Sequence, residues 1–116
     1  MSAYTFYHNP ACSKSRDGLE LLQSRNVELD IVHYLEVPPT AIELKALVDK
    51  LGLPARALLR DYEEAYQKLG LDNPDLTEEQ LIDAMVREPI LIQRPVLADS
   101  TRAVIGRPTE KLLELL

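Results

Sequence analysis

Bulky apolar residues fall on both faces of Ala3-Tyr4-Thr5-Phe6-Tyr7, with Tyr4 and Phe6 on one side and Tyr7 on the other. That pattern predicts an inner strand covered on both sides. Asp17 to Arg25 carries Leu19 and Leu22 at the spacing of one helix face, and Leu29-Asp30-Ile31-Val32-His33-Tyr34 reads as a second strand. Pro38-Pro39 then interrupts regular structure. Thr40-Ala41-Ile42-Glu43 is a capping box opening a helix with Leu44, Leu47, Val48 and Leu51 as its apolar stripe, and Gly52 stops it. Pro54 starts a short helix through Leu59, and Tyr62 to Leu69 predicts another, with Tyr62 and Tyr66 packed on one face. Thr77-Glu78-Glu79-Gln80 is a second capping box, followed by the stripe Leu81, Ile82, Met85 and Val86. Its Glu78-Glu79 pair complements the positive end of the helix. Pro95-Val96-Leu97-Ala98 and Ala103-Val104-Ile105 read as short strands, and the Asp99-Ser100-Thr101 turn between them makes the pair antiparallel. Thr109 to Leu116 closes the chain as a helix after Pro108.

The order is β-α-β, a helical block, then β-β-α. This is the thioredoxin topology with helices inserted in its middle: an α/β fold with a four-stranded mixed sheet and helices on both faces. At 116 residues the chain is expected to form a single domain over 1–116.

Composition narrows the setting. The chain is 46% hydrophobic, which argues against disorder, and its formal net charge of -6 argues against nucleic acid as a partner. No apolar run approaches the ~20 residues of a membrane span. Met1-Ser2-Ala3-Tyr4 lacks the basic-then-apolar pattern of a signal peptide. One cysteine cannot form an internal disulfide, so the expected location is the reducing cytoplasm.

That cysteine, Cys12, lies in His8-Asn9-Pro10-Ala11-Cys12-Ser13-Lys14-Ser15-Arg16, between the first strand and the first helix. Free cysteines are commonly buried as small hydrophobes. Here the neighbours are polar or turn-forming, and Lys14, Arg16 and His8 stand close in sequence. A helix N-terminus and nearby cations both favour the thiolate, the nucleophilic form. Cys12-Ser13-Lys14-Ser15 has the spacing of a Cys-x-x-Cys redox motif with serine in second place, so an external thiol must clear any adduct. An ordinary thiol is already a few per cent ionised at neutral pH. Full ionisation therefore gains at most ~30-fold, about 2 kcal/mol. Something else must stabilise charge on the electrophile.

Arginines are the candidates, outnumbering lysines eight to five. Arg60, Arg94 and Arg107 each sit where an element meets a turn, and guanidinium forks suit tetrahedral oxyanions. Taken singly, each is read more readily as an ordinary surface ion pair, and Arg60 has Asp61, Glu63 and Glu64 beside it. Arg94-Pro95 places a proline at a strand start, where either isomer is admissible. His8 and His33 do not form a metal-binding spacing with Cys12, and His33 reads as a strand residue satisfied locally.

The chain resembles the glutaredoxin-coupled arsenate reductase family, as a short member of it. The resemblance is carried by Tyr7-His8-Asn9-Pro10-x-Cys12-x-x-Ser15-Arg16, Tyr34-Leu35-Glu36-x-Pro38, Arg56-Ala57-Leu58-Leu59-Arg60, Pro89-x-Leu91-Ile92-x-Arg94-Pro95 and Gly106-Arg107-Pro108. It implies a thioredoxin-like fold with a helical insertion between the βαβ and ββα halves. It also implies Cys12 as the catalytic nucleophile, His8 as its helper, and Arg60, Arg94 and Arg107 as the oxyanion-binding residues. Arg94-Pro95 falls on the fold's cis-proline position. The implied reaction is arsenate reduction with glutathione as co-substrate and glutaredoxin as partner, in a cytoplasmic monomer with no bound cofactor or metal. Two alternatives stand beside it. One is a glutathione-dependent thiol–disulfide oxidoreductase acting on another substrate. The other is a redox-responsive regulatory binding protein, disfavoured by Ser15 in place of a second cysteine.

Overall fold

The computed structural model describes residues 4–116. Ala3, the expected first strand residue, and the leader reading at Met1-Ser2 lie outside the described residues. Two compact units emerge, the chain through Val37 joined by Arg94–Leu116, and Pro38–Gln93.

The first unit holds β1 (Tyr4–Tyr7), α1 (Ser13–Ser24), β2 (Leu29–Val32), and later β3 (Val96–Ala98), β4 (Ala103–Ile105) and a 3-10 helix over Thr109–Leu115. The four strands form one sheet in the order β2-β1-β3-β4. β1 runs parallel to β2 and antiparallel to β3, and β3 runs antiparallel to β4. The expected mixed sheet with an inner first strand is therefore present. Phe6 pairs with Leu97 and Leu97 with Val104, which places the three side chains on one face. Against that face pack Leu22 of α1 and Leu112 and Leu115 of the 3-10 helix, forming the core with Phe6 and Leu97. β3 is buried on both faces, at Val96, Leu97 and Ala98.

Two boundaries and one helix type depart most from the sequence reading. α1 begins at Ser13 rather than Asp17. The polar run Ser13-Lys14-Ser15-Arg16 resembles a turn, but Ser15 within it is buried and satisfied by hydrogen bonds. β2 ends at Val32 because the His33 carbonyl accepts from the N–H groups of Glu36 and Val37 and turns the chain. His33 is therefore an exposed turn residue, not a strand residue. The closing helix is 3-10 rather than α. With three residues per turn, Leu112 and Leu115 fall on the same side and both reach the core.

Two glycines let α1, β3 and the closing helix approach. A Cβ on Gly18 would come within 2.9 Å of Leu112 Cδ1 and 3.0 Å of Pro95 Cγ, and one on Gly106 within 2.9 Å of Leu112 Cγ and Pro95 Cγ. The Pro95 ring thus sits between two positions that tolerate no side chain. Gly106→Ala is expected to destabilise the fold by about 1–3 kcal/mol through overpacking. Chemical denaturation measures this, and a variant as stable as the native chain would show that the cradle yields freely.

The second unit contains α2 (Ala41–Leu51), α3 (Glu64–Lys68) and α4 (Glu78–Arg87), with 3-10 turns at Ala55–Leu58 and Pro89–Leu91. Both capping boxes form as the sequence predicts. The Glu43 N–H donates to Thr40 Oγ1 at 3.2 Å while Thr40 N–H donates to Glu43 Oε1 at 3.0 Å, and Thr77 and Gln80 repeat the exchange. Gly52 ends α2 in the left-handed region at φ 67, where glycine has no Cβ penalty. Leu44, Leu47 and Val48 of α2 and Leu81, Ile82 and Met85 of α4 are buried; Leu51 and Val86 are half-buried. Glu78 does more than complement its helix end, since its Oε2 also accepts from the Ala55 N–H at 2.8 Å. α3 is shorter than expected. Tyr62 lies outside it with an exposed ring, while Tyr66 is buried, so the two do not share a helix face.

Candidate active site

Cys12 stands at the N-cap of α1 with extended backbone angles, φ -97 and ψ 123. The turn that delivers it is built on Asn9. The Cys12 N–H donates to the Asn9 carbonyl at 3.0 Å, and the Ala11 N–H donates to Asn9 Oδ1 at 3.0 Å. The Cys12 carbonyl then accepts the first helical bond, from the Arg16 N–H at 3.0 Å. An N-cap side chain faces the unpaired N–H groups of the first turn. As a thiol the Cys12 sulfur closes no capping hydrogen bond. As a thiolate it draws on the same donors.

Electrostatics at the sulfur favour ionisation. Partial burial pushes the Cys12 thiol up, but the Ser15 N–H, the Arg94 guanidinium as hydrogen-bond donor and as charge, and the Lys14 N–H together bring it below its ordinary value. Alkylation of the single thiol is therefore expected to reach half-maximal rate at lower pH than for an unfolded cysteine peptide. Coincident profiles would overturn this. A thiol held lower in the folded chain than in the unfolded one adds stability above the ordinary thiol pKa, and this contribution is lost as pH falls through the folded value. Native stability relative to Cys12→Ser should thus rise with pH across that interval.

Arg94 is buried and interacts electrostatically with Cys12 and with Tyr34, a fully buried tyrosine. Its burial lowers its own pKa, but those two partners outweigh that and raise it, so the guanidinium stays charged. The Arg94–Pro95 peptide is cis, as is Arg107–Pro108. Arg107 Nε donates to the Arg94 carbonyl at 2.8 Å. Arg107 also lines an open cleft of about 300 Å³ with Lys14, Gly106, Pro108, Thr109 and Glu110. Cys12, Arg94 and Arg107 are thus linked within the first unit.

His8 is buried, and its Nδ1 lies 2.7 Å from Ser15 Oγ. Burial, with the charges of His33 and Arg16, lowers its pKa, so the imidazole is neutral at neutral pH. His8 meets the helix through Ser15 rather than through the cysteine sulfur.

Arg60 belongs to the second unit. It is buried there, with Nε donating to Glu63 Oε1 at 2.9 Å and its guanidinium 4.4 Å from the centre of the Tyr62 ring. Its Nη1 is buried without a hydrogen-bond partner. An antiparallel bridge between Leu59 and Ile92 fixes the backbone around it, and the Arg60 N–H donates to the Leu91 carbonyl at 2.8 Å. Arg56, in the same motif, is a strut: Nη1 donates to the Leu71 carbonyl at 2.7 Å and Nη2 to that of Asn73 at 2.9 Å.

Nothing local in the sequence marks Tyr34 for the site, although it stands in the Tyr34-Leu35-Glu36-x-Pro38 motif. From sequence, Asn9 reads only as a turn former and Ser15 only as a missing cysteine. Among the described residues no three His, Cys, Asp or Glu side chains converge to hold a metal ion, and no helix is long and apolar enough to cross a membrane.

A sheet of this order, with a cysteine capping the first helix and a cis-proline opening the third strand, defines a thioredoxin-like protein. The ArsC family model matches residues 7–115, and the chain belongs to that family. It is 46% identical to an arsenate reductase of Escherichia coli K12 over 116 residues, which is all of this chain and 82% of the relative. It is 42% identical over 113 residues to an arsenate reductase of Neisseria meningitidis serogroup A, covering 97% of each. A solved arsenate reductase structure from Vibrio cholerae superposes with a TM-score of 0.95 at 41% identity, covering 99% of this chain and 98% of that one.

Proposed function

We propose that the protein reduces arsenate to arsenite through a covalent adduct on Cys12, with glutathione and glutaredoxin supplying the electrons. The observation that carries this reading is Cys12 at the N-cap of α1, where the first-turn N–H groups and the Arg94 guanidinium favour its thiolate. That arrangement prepares a nucleophile beside a positive charge. The names of the relatives point to arsenate as the oxyanion.

The thiolate attacks arsenic(V), forming an S–As bond while hydroxide or water leaves. Glutathione thiolate then attacks the Cys12 sulfur. The S–As electron pair departs with arsenic, which leaves as arsenite, and a Cys12–glutathione disulfide remains. Two electrons have moved from two thiols to arsenic. A glutaredoxin thiolate takes the glutathione sulfur and returns Cys12 as a thiolate. External thiols are required because Cys12 is the only cysteine in the chain.

Arg94 and the free end of Arg107 serve as oxyanion ligands within the first unit, and Arg60 is assigned the same role by the family resemblance. A buried, unpartnered Nη1 on Arg60 supports that assignment, because such a nitrogen is costly unless a ligand meets it. His8 is the assisting residue. The setting is the reducing cytoplasm, and the working form is a monomer.

The test is arsenite formation from arsenate with glutathione and glutaredoxin. Turnover is expected only when both thiol donors are present. Exchange with glutathione disulfides but no arsenite under any donor would overturn arsenate as substrate and select the thiol–disulfide oxidoreductase reading.

A further inference from the structure

Ser15 occupies the place of the second cysteine in a Cys-x-x-Cys pair, at the third position of α1, and is completely buried. Its hydroxyl does not face the cysteine turn idly. The Asn9 N–H donates to Oγ at 3.0 Å, and His8 Nδ1 lies 2.7 Å from the same oxygen. A serine hydroxyl has one proton to give and lone pairs to receive. With one lone pair taken by Asn9, a neutral His8 Nδ1 can accept the hydroxyl proton. A neutral imidazole that accepts at Nδ1 carries its proton on Nε2.

We propose that Ser15 is the positioning residue of Cys12, its hydroxyl clamping the His8-Asn9 turn onto the first turn of α1 so that the sulfur stays over the helix N-terminus. The clamp closes a short loop. Asn9 holds the Cys12 N–H through its carbonyl and the Ala11 N–H through Oδ1, while its own N–H is held by Ser15. Ser15 also supplies the backbone N–H that lowers the thiol pKa, so one residue sets both the donor and the distance to it. His8 packs near the Phe6 and His33 rings, with centroids 5.6 and 5.8 Å away, which leaves it little freedom to release Ser15. On this reading His8 acts on Cys12 through Ser15.

The proposal rests on Cys12 as the reactive group, but its test needs no arsenate. Alkylation of the single thiol is followed against pH in the native chain, Ser15→Ala and Ser15→Thr, with melting temperatures alongside. Below the native midpoint, Ser15→Ala is expected to alkylate roughly three- to tenfold more slowly, the factor one hydrogen bond commands, and Ser15→Thr to recover most of the loss. In a double-mutant cycle Ser15→Ala and His8→Ala should be strongly non-additive. Nitrogen-15 NMR of the native protein should show His8 as the Nε2–H tautomer. An unchanged alkylation profile in a folded Ser15→Ala, an additive cycle, or an Nδ1–H tautomer each overturns the clamp. If Ser15→Ala fails to fold, the native tautomer decides. No arsenite formation by the native chain, with Ser15→Ala alkylating more slowly as expected, would overturn the proposed reaction and uphold the clamp.

Discussion

Cys12→Ser is expected to abolish arsenite formation, leaving no more than about one thousandth of the native rate. Two losses compound. A serine hydroxyl stays protonated where the thiol ionises, so the gain from the Ser15 and Lys14 N–H groups and Arg94 has nothing to act on. More decisively, in the proposed reaction the two electrons that reduce arsenic come from joining two sulfurs, and Cys12 is the only cysteine in the sequence. Better positioning cannot replace a missing redox centre. The fold should survive, because Cys12 is only half-buried and belongs to no core cluster among the described residues. Arsenite production with saturating glutathione and glutaredoxin, checked against melting temperature, measures this. A folded Cys12→Ser retaining a hundredth of native turnover would place the chemistry elsewhere.

Arg94→Ala has the next largest expected effect. The buried guanidinium favours the Cys12 thiolate by its charge and interacts electrostatically with the fully buried Tyr34. Truncation removes a charge that stabilises the thiolate and, in the proposed reaction, an oxyanion ligand. Loss of one such preorganised donor costs about 10²–10³ in turnover. It also costs about 1–3 kcal/mol of stability through the polar groups left behind. The thiol alkylation midpoint should move up at the same time. Arg94→Lys is expected to restore little, because an ammonium point charge cannot span two partners as a planar fork does. Native kcat/KM for arsenate together with a native alkylation profile in Arg94→Ala would remove Arg94 from the site. The bond from Arg107 Nε to the Arg94 carbonyl involves backbone and survives the substitution, so the effect belongs to the side chain.

The pattern of success and failure in reading the chain follows sequence separation. The boxes at Thr40 and Thr77 each close within three residues, and both formed as read. The bulky apolar residues on both faces of β1 mark it as an inner strand, and it lies between β2 and β3. The C-terminus was misread as an α-helix because Leu112 and Leu115 fit one face of either helix type, and packing on the sheet chose 3-10. α3 was overextended because Tyr62 looked like a helix-face partner for Tyr66, while its ring instead meets the Arg60 guanidinium.

By itself, the sequence determined the element order, the caps, and a lone thiol at a helix start, since each depends on neighbours a few residues apart. Tertiary structure alone decided that Arg94 comes beside both Cys12 and Tyr34, and that Arg107 is tethered to the Arg94 backbone. Sheet pairing carries distant segments to one end of the strands, and no local preference records which side chains will arrive there. It also decided that the Ser15 hydroxyl serves His8 and Asn9. The physical reason is that a side chain's rotamer follows from what its burial leaves available as hydrogen-bond partners, and those partners exist only once the turn has closed over the helix.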